Sequence, residues 1–433
     1  MAEMRPAAEM KDSGIEWVGQ IPQNWNRTKI SRCFRLIGSG TTPKSNNDLY
    51  YDGDINWLQS GDINGGVVDK TKKHITEEAF QAFSTLKIYS APFIAIAMYG
   101  ASIANTSIVN IDACTNQACC VLSSVKNTSD FKYVFYTLQA AKSELLLSGR
   151  GGTQPNISQE IIKNLIIPIP PIVEQQAIAD YLDDRCSKID EIIEEATASI
   201  EEYKELKQAV IFEAVTKGLD KSVPMKDSGI EWLPYVPEHW DVRRIATIYD
   251  ESKETGRDDL PILLVSIHTG ISDREIDNEE RDRKVIRSED KTIYKVVHKN
   301  YLAYNMMRAW QGGFGAAAID GLVSPAYVVA KPKIEVNTAY IENVLRTPNA
   351  IEHIRGMSYG VADFRLRLYW PYFKNIRVPF PSIEEQNRIV EYIKNHLLKF
   401  DSLISEKQSL ISDLQAYKKS LIYEVVTGKR RVV

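Results

Sequence analysis

The chain has few of the side chains from which metal centres, redox sites and hydrolytic nucleophiles are usually built. Its five cysteines, Cys33, Cys114, Cys119, Cys120 and Cys186, are odd in number and nowhere spaced Cys-x-x-Cys, which argues against a disulfide framework or a zinc site. They read as small buried hydrophobes. The six histidines, His74, His239, His268, His298, His353 and His396, are scattered, with no second ligand at metal-binding spacing. No Gly-x-x-x-x-Gly-Lys-[Ser/Thr] loop, His-Glu-x-x-His pair, Gly-x-Ser-x-Gly elbow or Asn-Pro-Pro-aromatic tetrapeptide occurs. Gly313-Phe314-Gly315-Ala316-Ala317-Ala318 meets a relaxed dinucleotide pattern, but it lacks the surrounding strand-helix-strand unit and Pro325 follows soon after. Long hydrophobic runs are missing too. The longest, Ile88 to Ala104, is interrupted by Pro92, Gly100 and Ser102, too short and broken to span a bilayer, and no basic-then-apolar signal opens the chain. The expected location is the cytoplasm.

What is present is ordinary in composition and unusual in arrangement. A chain of 433 residues exceeds one core and fits two domains with connectors. Net charge is −4, which at first argues against a nucleic-acid partner. The distribution changes that reading. Asn26 to Leu165 holds 14 Lys and Arg against 11 Asp and Glu, and Asp241 to Arg377 holds 21 against 19. Ile172 to Asp220, by contrast, holds 5 against 13, while Ile383 to Val433 holds 9 against 7. The acidity is concentrated in one segment, and the two mildly basic stretches permit DNA binding without proving it.

The chain also repeats itself. Met10-Lys11-Asp12-Ser13-Gly14-Ile15-Glu16-Trp17 returns unchanged as Met225-Lys226-Asp227-Ser228-Gly229-Ile230-Glu231-Trp232, and Pro22 and Trp25 return as Pro237 and Trp240. A second block agrees. Pro168-Ile169-Pro170-Pro171-Ile172-Val173-Glu174-Gln175 aligns with Pro379-Phe380-Pro381-Ser382-Ile383-Glu384-Glu385-Gln386, Asp190 with Asp401, and Glu213 to Thr216 with Glu424 to Thr427. Between the shared parts lie two inserts that hardly resemble each other. Strand-like runs nevertheless correspond: Pro92 to Met98 with Tyr301 to Met306, and Ala118 to Leu122 with Ala326 to Ala330. The inserts are therefore expected to share a mixed α/β fold while differing at surface positions such as Gly100 against Arg308 and Ser102 against Trp310.

Each shared carboxyl-terminal block reads as a helix of roughly 45 residues, or about 65 Å at the standard rise. Proline sets the first turn, and Glu174, or Glu384 and Glu385, sits where the helix dipole favours negative charge. A seven-residue frame places Leu182, Ile189, Ala196, Tyr203 and Val210 at one seam position and Ile192 and Leu206 at the other. In the second copy these become Ile393, Phe400, Lys407, Leu414 and Leu421, with Leu403, Leu410 and Tyr417. Stripes of equal length and unlike charge predict an antiparallel pair of helices, the alternative being that each helix packs on its own domain.

Two stretches look like recognition surface. Gly149-Arg150-Gly151-Gly152-Thr153-Gln154-Pro155-Asn156 carries a guanidinium, a hydroxyl and amides, groups that read base edges or grip phosphate. Arg308-Ala309-Trp310-Gln311 offers a similar set, and Arg365 and Arg367 form a basic pair. The DNA-contact candidates are Lys44, Gln59, Ser60, Arg150, Thr153, Gln154 and Asn156 in the first insert and Arg308, Trp310, Gln311, Tyr359, Arg365 and Arg367 in the second. The alternative for each is a solvated loop with turn glycines.

These residues carry a family resemblance. Lys11 to Trp17 with Ile21-Pro22 and Trp25, the loop Ser148-Gly149 to Thr153-Gln154-Pro155-Asn156-Ile157-Ser158, Ile166 to Pro171 with Glu174-Gln175, and Met307 to Gly312 resemble the specificity subunits of type I restriction-modification systems over essentially the whole chain. The second insert departs by carrying Ser358 to Arg365 where the first has its Thr-Gln-Pro-Asn loop. The resemblance implies an α+β fold: two mixed α/β target-recognition domains joined by two long helices forming an antiparallel coiled coil, an internal pseudo-two-fold repeat. The segments would be 1–25, a conserved amino-terminal stretch; 26–165, the first target-recognition domain; 166–220, the first helical region; 221–240, the repeat of the amino-terminal stretch; 241–377, the second target-recognition domain; and 378–433, the second helical region. It further implies a subunit with no catalysis and no cofactor of its own, reading one half of a bipartite, asymmetric double-stranded DNA site with each domain. Its partners would be two methyltransferase subunits using S-adenosylmethionine and restriction subunits using ATP and magnesium. A stiff helical spacer suits half-sites about one DNA turn, roughly 34 Å, apart. Two other readings stay open on the residues alone: a coiled-coil scaffold whose inserts bind proteins, and a self-contained enzyme.

Overall fold

The computed structural model describes residues 3–149, 156–257, 259–272, 291–360 and 366–432. The chain divides into two units, Met1–Ala196 with Ser409–Val433, and Thr197–Gln408. Each contains one insert and a stretch of both long helices.

In both units the repeated octapeptide is a strand with a built-in turn. Met10–Ile15 pairs antiparallel with Gly19–Pro22, and Met225–Ile230 with Leu233–Pro237. The residue types follow from the geometry. Gly14 and Gly229 both sit at φ 63°, in the left-handed region that glycine enters without a Cβ penalty. Asp12 Oδ1 accepts the Gly14 N–H at 2.9 Å and Asp227 Oδ1 the Gly229 N–H at 2.8 Å. Ser13 Oγ accepts the Ile15 N–H at 3.0 Å and Ser228 Oγ the Ile230 N–H at 2.8 Å. Asp-Ser-Gly is thus one Asx-type turn used twice. Trp25 and Trp240 follow it, each fully buried.

Each insert then begins and ends on a closed pair of strands, Asn26–Lys29 against Ile166–Ile169 and Asp241–Arg244 against Arg377–Phe380. The first insert is a five-stranded sheet in the order Phe34–Gly38, Cys119–Val125, Phe93–Ala97, Thr106–Val109, Val67–Val68, with a smaller three-stranded sheet beside it. The second is a four-stranded antiparallel sheet, Tyr249–Ser252, Tyr327–Pro332, Leu302–Asn305, Phe314–Ala316. Alternation explains why the central strands read as unbroken apolar runs. Ile94, Ile96, Cys120 and Leu122 face a core shared with the long helices, whereas Phe93, Ala95, Ala97, Cys119 and Val121 fill the other face. Leu302, Tyr304, Val328 and Ala330 divide from Ala303, Tyr327 and Val329 in the same way. All five cysteines are buried and unpaired, and burial pushes the Cys120 thiol up to about 12, so they act as small hydrophobes. No helix among the described residues is long and apolar enough to cross a membrane.

The helices run Ile172–Lys217 and Ile383–Val426. They pair antiparallel in each unit. In the first, Arg5 bonds both Glu174 near one helix start and the Lys429 carbonyl beyond the other helix's end, and Lys418 Nζ donates to Asp190 at 2.6 Å. In the second, the Tyr203 and Phe400 rings meet at a tilt with centres 6.1 Å apart, Lys207 donates to Asp401, and Gly218 lies beside Glu385. The two lysine–aspartate pairs are repeats of one another with the copies exchanged: Asp190 corresponds to Asp401, and Lys207 to Lys418.

The seam is phased differently from the sequence reading. Leu182, Ile189 and Ala196 are buried as expected, but their partners are Cys186 and Ile200, four residues on. Ile192 and Leu206, and Leu403, Leu410 and Tyr417, are 38% to 51% exposed. Apolar residues at both the i+3 and i+4 positions compete for the seam, and the inserts settle the choice by covering the i+4 side with their own cores.

Candidate nucleic-acid interface

In the first insert, a turn over Met98–Asn105 draws the candidates together. Ser102 Oγ donates to the Ser60 carbonyl at 2.6 Å, and Asn105 Nδ2 to the Ile63 carbonyl at 3.2 Å. The Gln59 N–H is held by Asp62 Oδ2 at 2.9 Å. Ile157, next to exposed Asn156, donates its N–H to the Met98 carbonyl at 2.8 Å. Gln59, Ser60 and Asn156 therefore border one turn. Lys44 is exposed on a separate loop, where its carbonyl accepts from Asn47. Arg150, Thr153 and Gln154 lie outside the described residues.

The second domain builds the same scaffold with other side chains. Leu368 donates its N–H to the Met306 carbonyl at 2.9 Å, the counterpart of the bond from Ile157 to Met98. Arg308 Nη1 donates to Gln311 Oε1 at 2.7 Å, Trp310 Nε1 to the Met307 carbonyl at 3.0 Å, and the Arg355 guanidinium stands 5.6 Å from the Trp310 ring centre. Tyr359 and Arg367 close the base of the neighbouring loop through two backbone bonds of 3.0 Å, leaving the Tyr359 ring 73% exposed. Arg365 lies outside the described residues. Ile157, just after Asn156, and Leu368, just after Arg367, thus bond to equivalent scaffold positions, although the residues before them do not match.

Beside each scaffold opens a cleft. In the second unit it is about 1110 Å³ and lined by Trp310, Gln311, His268, Arg346, Arg355 and the helix residue Lys207. In the first it is about 580 Å³ and lined by Asn64, Asn105, Gln139, Lys142, Lys418 and Lys419. Sequence reasoning missed Arg346, which donates to the Ile267 carbonyl at 3.0 Å and pairs with Glu342 at 2.9 Å. Glu342 Oε2 also accepts the Ala316 N–H at 2.8 Å. Burial raises the Glu342 carboxyl above its ordinary range, opposed by the Ala316 N–H and Arg346. An i,i+4 acid–base pair on a helix carries no mark in sequence that separates it from a solvated one. Among the described residues no cluster of His, Cys, Asp and Glu could hold a metal ion.

Comparison with known proteins agrees with this geometry. Residues 22–202 match the family model described as type I restriction modification DNA specificity domain. The MjaVIII specificity subunit of Methanocaldococcus jannaschii is 21% identical, over 95% of this chain and 94% of that one. The Escherichia coli EcoR124I/EcoR124II specificity subunit is 28% identical over 46% of each chain. A chain from a solved type I restriction-modification assembly shares the fold, with a TM-score of 0.67 at 13% identity, covering 94% of this chain and 99% of that one. The duplicated frame and the paired helices thus accompany a match to a type I restriction modification DNA specificity domain over residues 22–202 and a likeness, along nearly the whole chain, to specificity subunits of type I restriction enzymes.

Proposed function

We propose that the chain reads a bipartite, asymmetric DNA site, one half with each recognition domain, and docks two methyltransferase subunits and restriction subunits that carry the chemistry. The observation that supports it is the common scaffold bearing unlike loops: Ile157 on Met98 in one domain and Leu368 on Met306 in the other. One architecture with two different polar surfaces is what two different half-sequences require. The DNA-contact surface comprises Gln59, Ser60 and Asn156 with Arg150, Thr153 and Gln154 in the first domain, and Arg308, Trp310, Gln311 and Tyr359 with Arg365 and Arg367 in the second; Lys44 meets the phosphate backbone. S-adenosylmethionine, ATP and magnesium belong to the partner subunits, and the assembly works in the cytoplasm. Two modest interfaces on one frame bind tightly together because the first engagement raises the effective concentration for the second.

Mapping adenine methylation on random duplex DNA exposed to the chain with its methyltransferase partner tests this. The expected product is methylation within a two-part sequence with an unspecified gap. Methylation independent of sequence, or set by one uninterrupted motif, would contradict it.

A further inference from the structure

Two buried polar contacts that recur in both units tie each recognition domain to the ends of the long helices, the first unit adding a bond of 3.2 Å from Gln175 Nε2 to the Thr128 carbonyl. Tyr133 is fully buried, and its single O–H lies between the Pro168 carbonyl at 3.0 Å and the Val426 carbonyl at 3.1 Å. Tyr340, also fully buried, sits between the Pro379 carbonyl at 3.3 Å and the Val215 carbonyl at 3.2 Å. Each tyrosine thereby joins the lead-in strand of one helix to the last turn of the other copy's helix, using a carbonyl that the helix itself leaves unpaired. The second contact is a fully buried glutamine in the first helical turn. Gln175 Oε1 accepts the Asp130 N–H at 2.7 Å, and its Nε2 donates to the Pro170 carbonyl at 2.8 Å. Gln386 Oε1 accepts the Asn337 N–H at 2.9 Å, and its Nε2 donates to the Pro381 carbonyl at 2.9 Å. Asp130 and Asn337 are the residues that cap the helices Phe131–Ala140 and Thr338–Leu345 of the recognition domains.

Stability alone does not call for these groups. A phenyl ring fills almost the same volume as a phenol, and burying a hydroxyl or amide is unfavourable unless every bond is made. Apolar packing is non-directional and tolerates rocking of one surface on another. Hydrogen bonds to fixed carbonyls weaken steeply with angle and so define an orientation. The inserts differ at nearly every loop, yet both keep the tyrosine and meet the glutamine of the frame.

We propose that Tyr133 with Gln175, and Tyr340 with Gln386, are positioning residues that lock the angle of each recognition domain on its helical seat and so set how narrowly the protein selects the spacing between half-sites. The proposal rests on the bipartite reading given above. Its test uses the chain in complex with its methyltransferase partner and S-adenosylmethionine, on DNA carrying the two half-sites with gaps shortened or lengthened by one base pair. Tyr133→Phe and Tyr340→Phe are expected to fold, to keep the same half-site bases, and to methylate the off-length gaps about fivefold better relative to the natural gap, the worth of one buried hydrogen bond. Gln175→Met and Gln386→Met provide a second pair of variants with the same expected readout should a phenylalanine variant fail to fold. A gap profile like that of the wild type in folded variants, or altered base preference with an unaltered gap profile, overturns the lock. A wild-type complex that methylates no two-part site overturns the bipartite reading itself, and the lock with it.

Discussion

The two inserts solve one mechanical problem with different chemistry at the same helix position. Gln139 on Phe131–Ala140 donates through Nε2 to the Gly65 carbonyl at 2.6 Å, holding the loop that borders the first cleft. Arg346 holds the corresponding loop of the second domain through the Ile267 and His268 carbonyls, and is itself anchored by Glu342. One latch is a neutral single bond. The other is a part-buried ionic cluster that ties a loop, a helix and the strand at Ala316 together. The seat beneath, Tyr133 and Gln175 against Tyr340 and Gln386, is the same in both. Variation is therefore admitted where a loop is aimed and excluded where the domain meets its helices.

The shared frame gives the largest expected effect. Trp25→Ala and Trp240→Ala empty equivalent, fully buried sites, so each should cost about 4 kcal/mol in chemical denaturation; values more than about 1 kcal/mol apart would break the equivalence, since that exceeds ordinary scatter between matched sites. The latches should differ. Glu342→Ala strands Arg346 and the Ala316 N–H and is expected to cost about 3 kcal/mol, against about 1 kcal/mol for Gln139→Ala, both read from denaturant midpoints. A third contrast lies where the helices begin. Glu174 is held by Arg5 at 2.8 Å with both side chains mostly buried, whereas Glu385 is held by His239, whose side chain is 51% exposed. Arg5→Ala should destabilise by about 1.5 kcal/mol and His239→Ala by under about 0.5 kcal/mol.

The smallest expected effect concerns pH and belongs to the second unit alone. His298 lies between Asp320 at 3.0 Å and Glu254 at 3.2 Å, and the bond to Asp320, with that to Glu254, raises the imidazole above its usual range against modest desolvation. A histidine whose pKa is higher folded than unfolded stabilises fully below the unfolded value, near 6.5, and loses that contribution as pH rises through the folded value. Thermal melts of the wild type should thus decline relative to His298→Gln as pH rises above about 6.5, by under about 0.5 kcal/mol for a pair near the surface. An identical pH profile for the two proteins would remove His298 as the cause.

The repeat was legible because its residues have obligatory geometry: Asp12, Ser13 and Gly14 form a turn that other types build poorly, and the reading of a shared insert fold from Met98 and Met306 matches strands at equivalent sheet positions. The pairing of Asp190 with Lys418 and Asp401 with Lys207 follows from the same arithmetic of copies. The seam phase was not legible, because Ile192, Leu206 and Leu410 are as apolar as the residues that win burial, and only the adjoining cores decide between them. The latches were hidden for a related reason. Burial of Glu342 depends on the strand ending at Ala316, 26 residues away in sequence, and no local pattern records it. Gln59, Ser60 and Asn156 gather at one turn as polar loop residues, while Lys44 stands apart.

On the function proposed above, one duplicated frame presents two independent reading surfaces. Replacing residues 245–376 by residues 30–165, so that both seats carry the first domain, tests it most directly when the methylated sequences of the resulting complex are mapped. The account predicts a two-part site in which both halves are the half-sequence formerly read by the first domain alone. Retention of the original second half, or one continuous new motif, would contradict it.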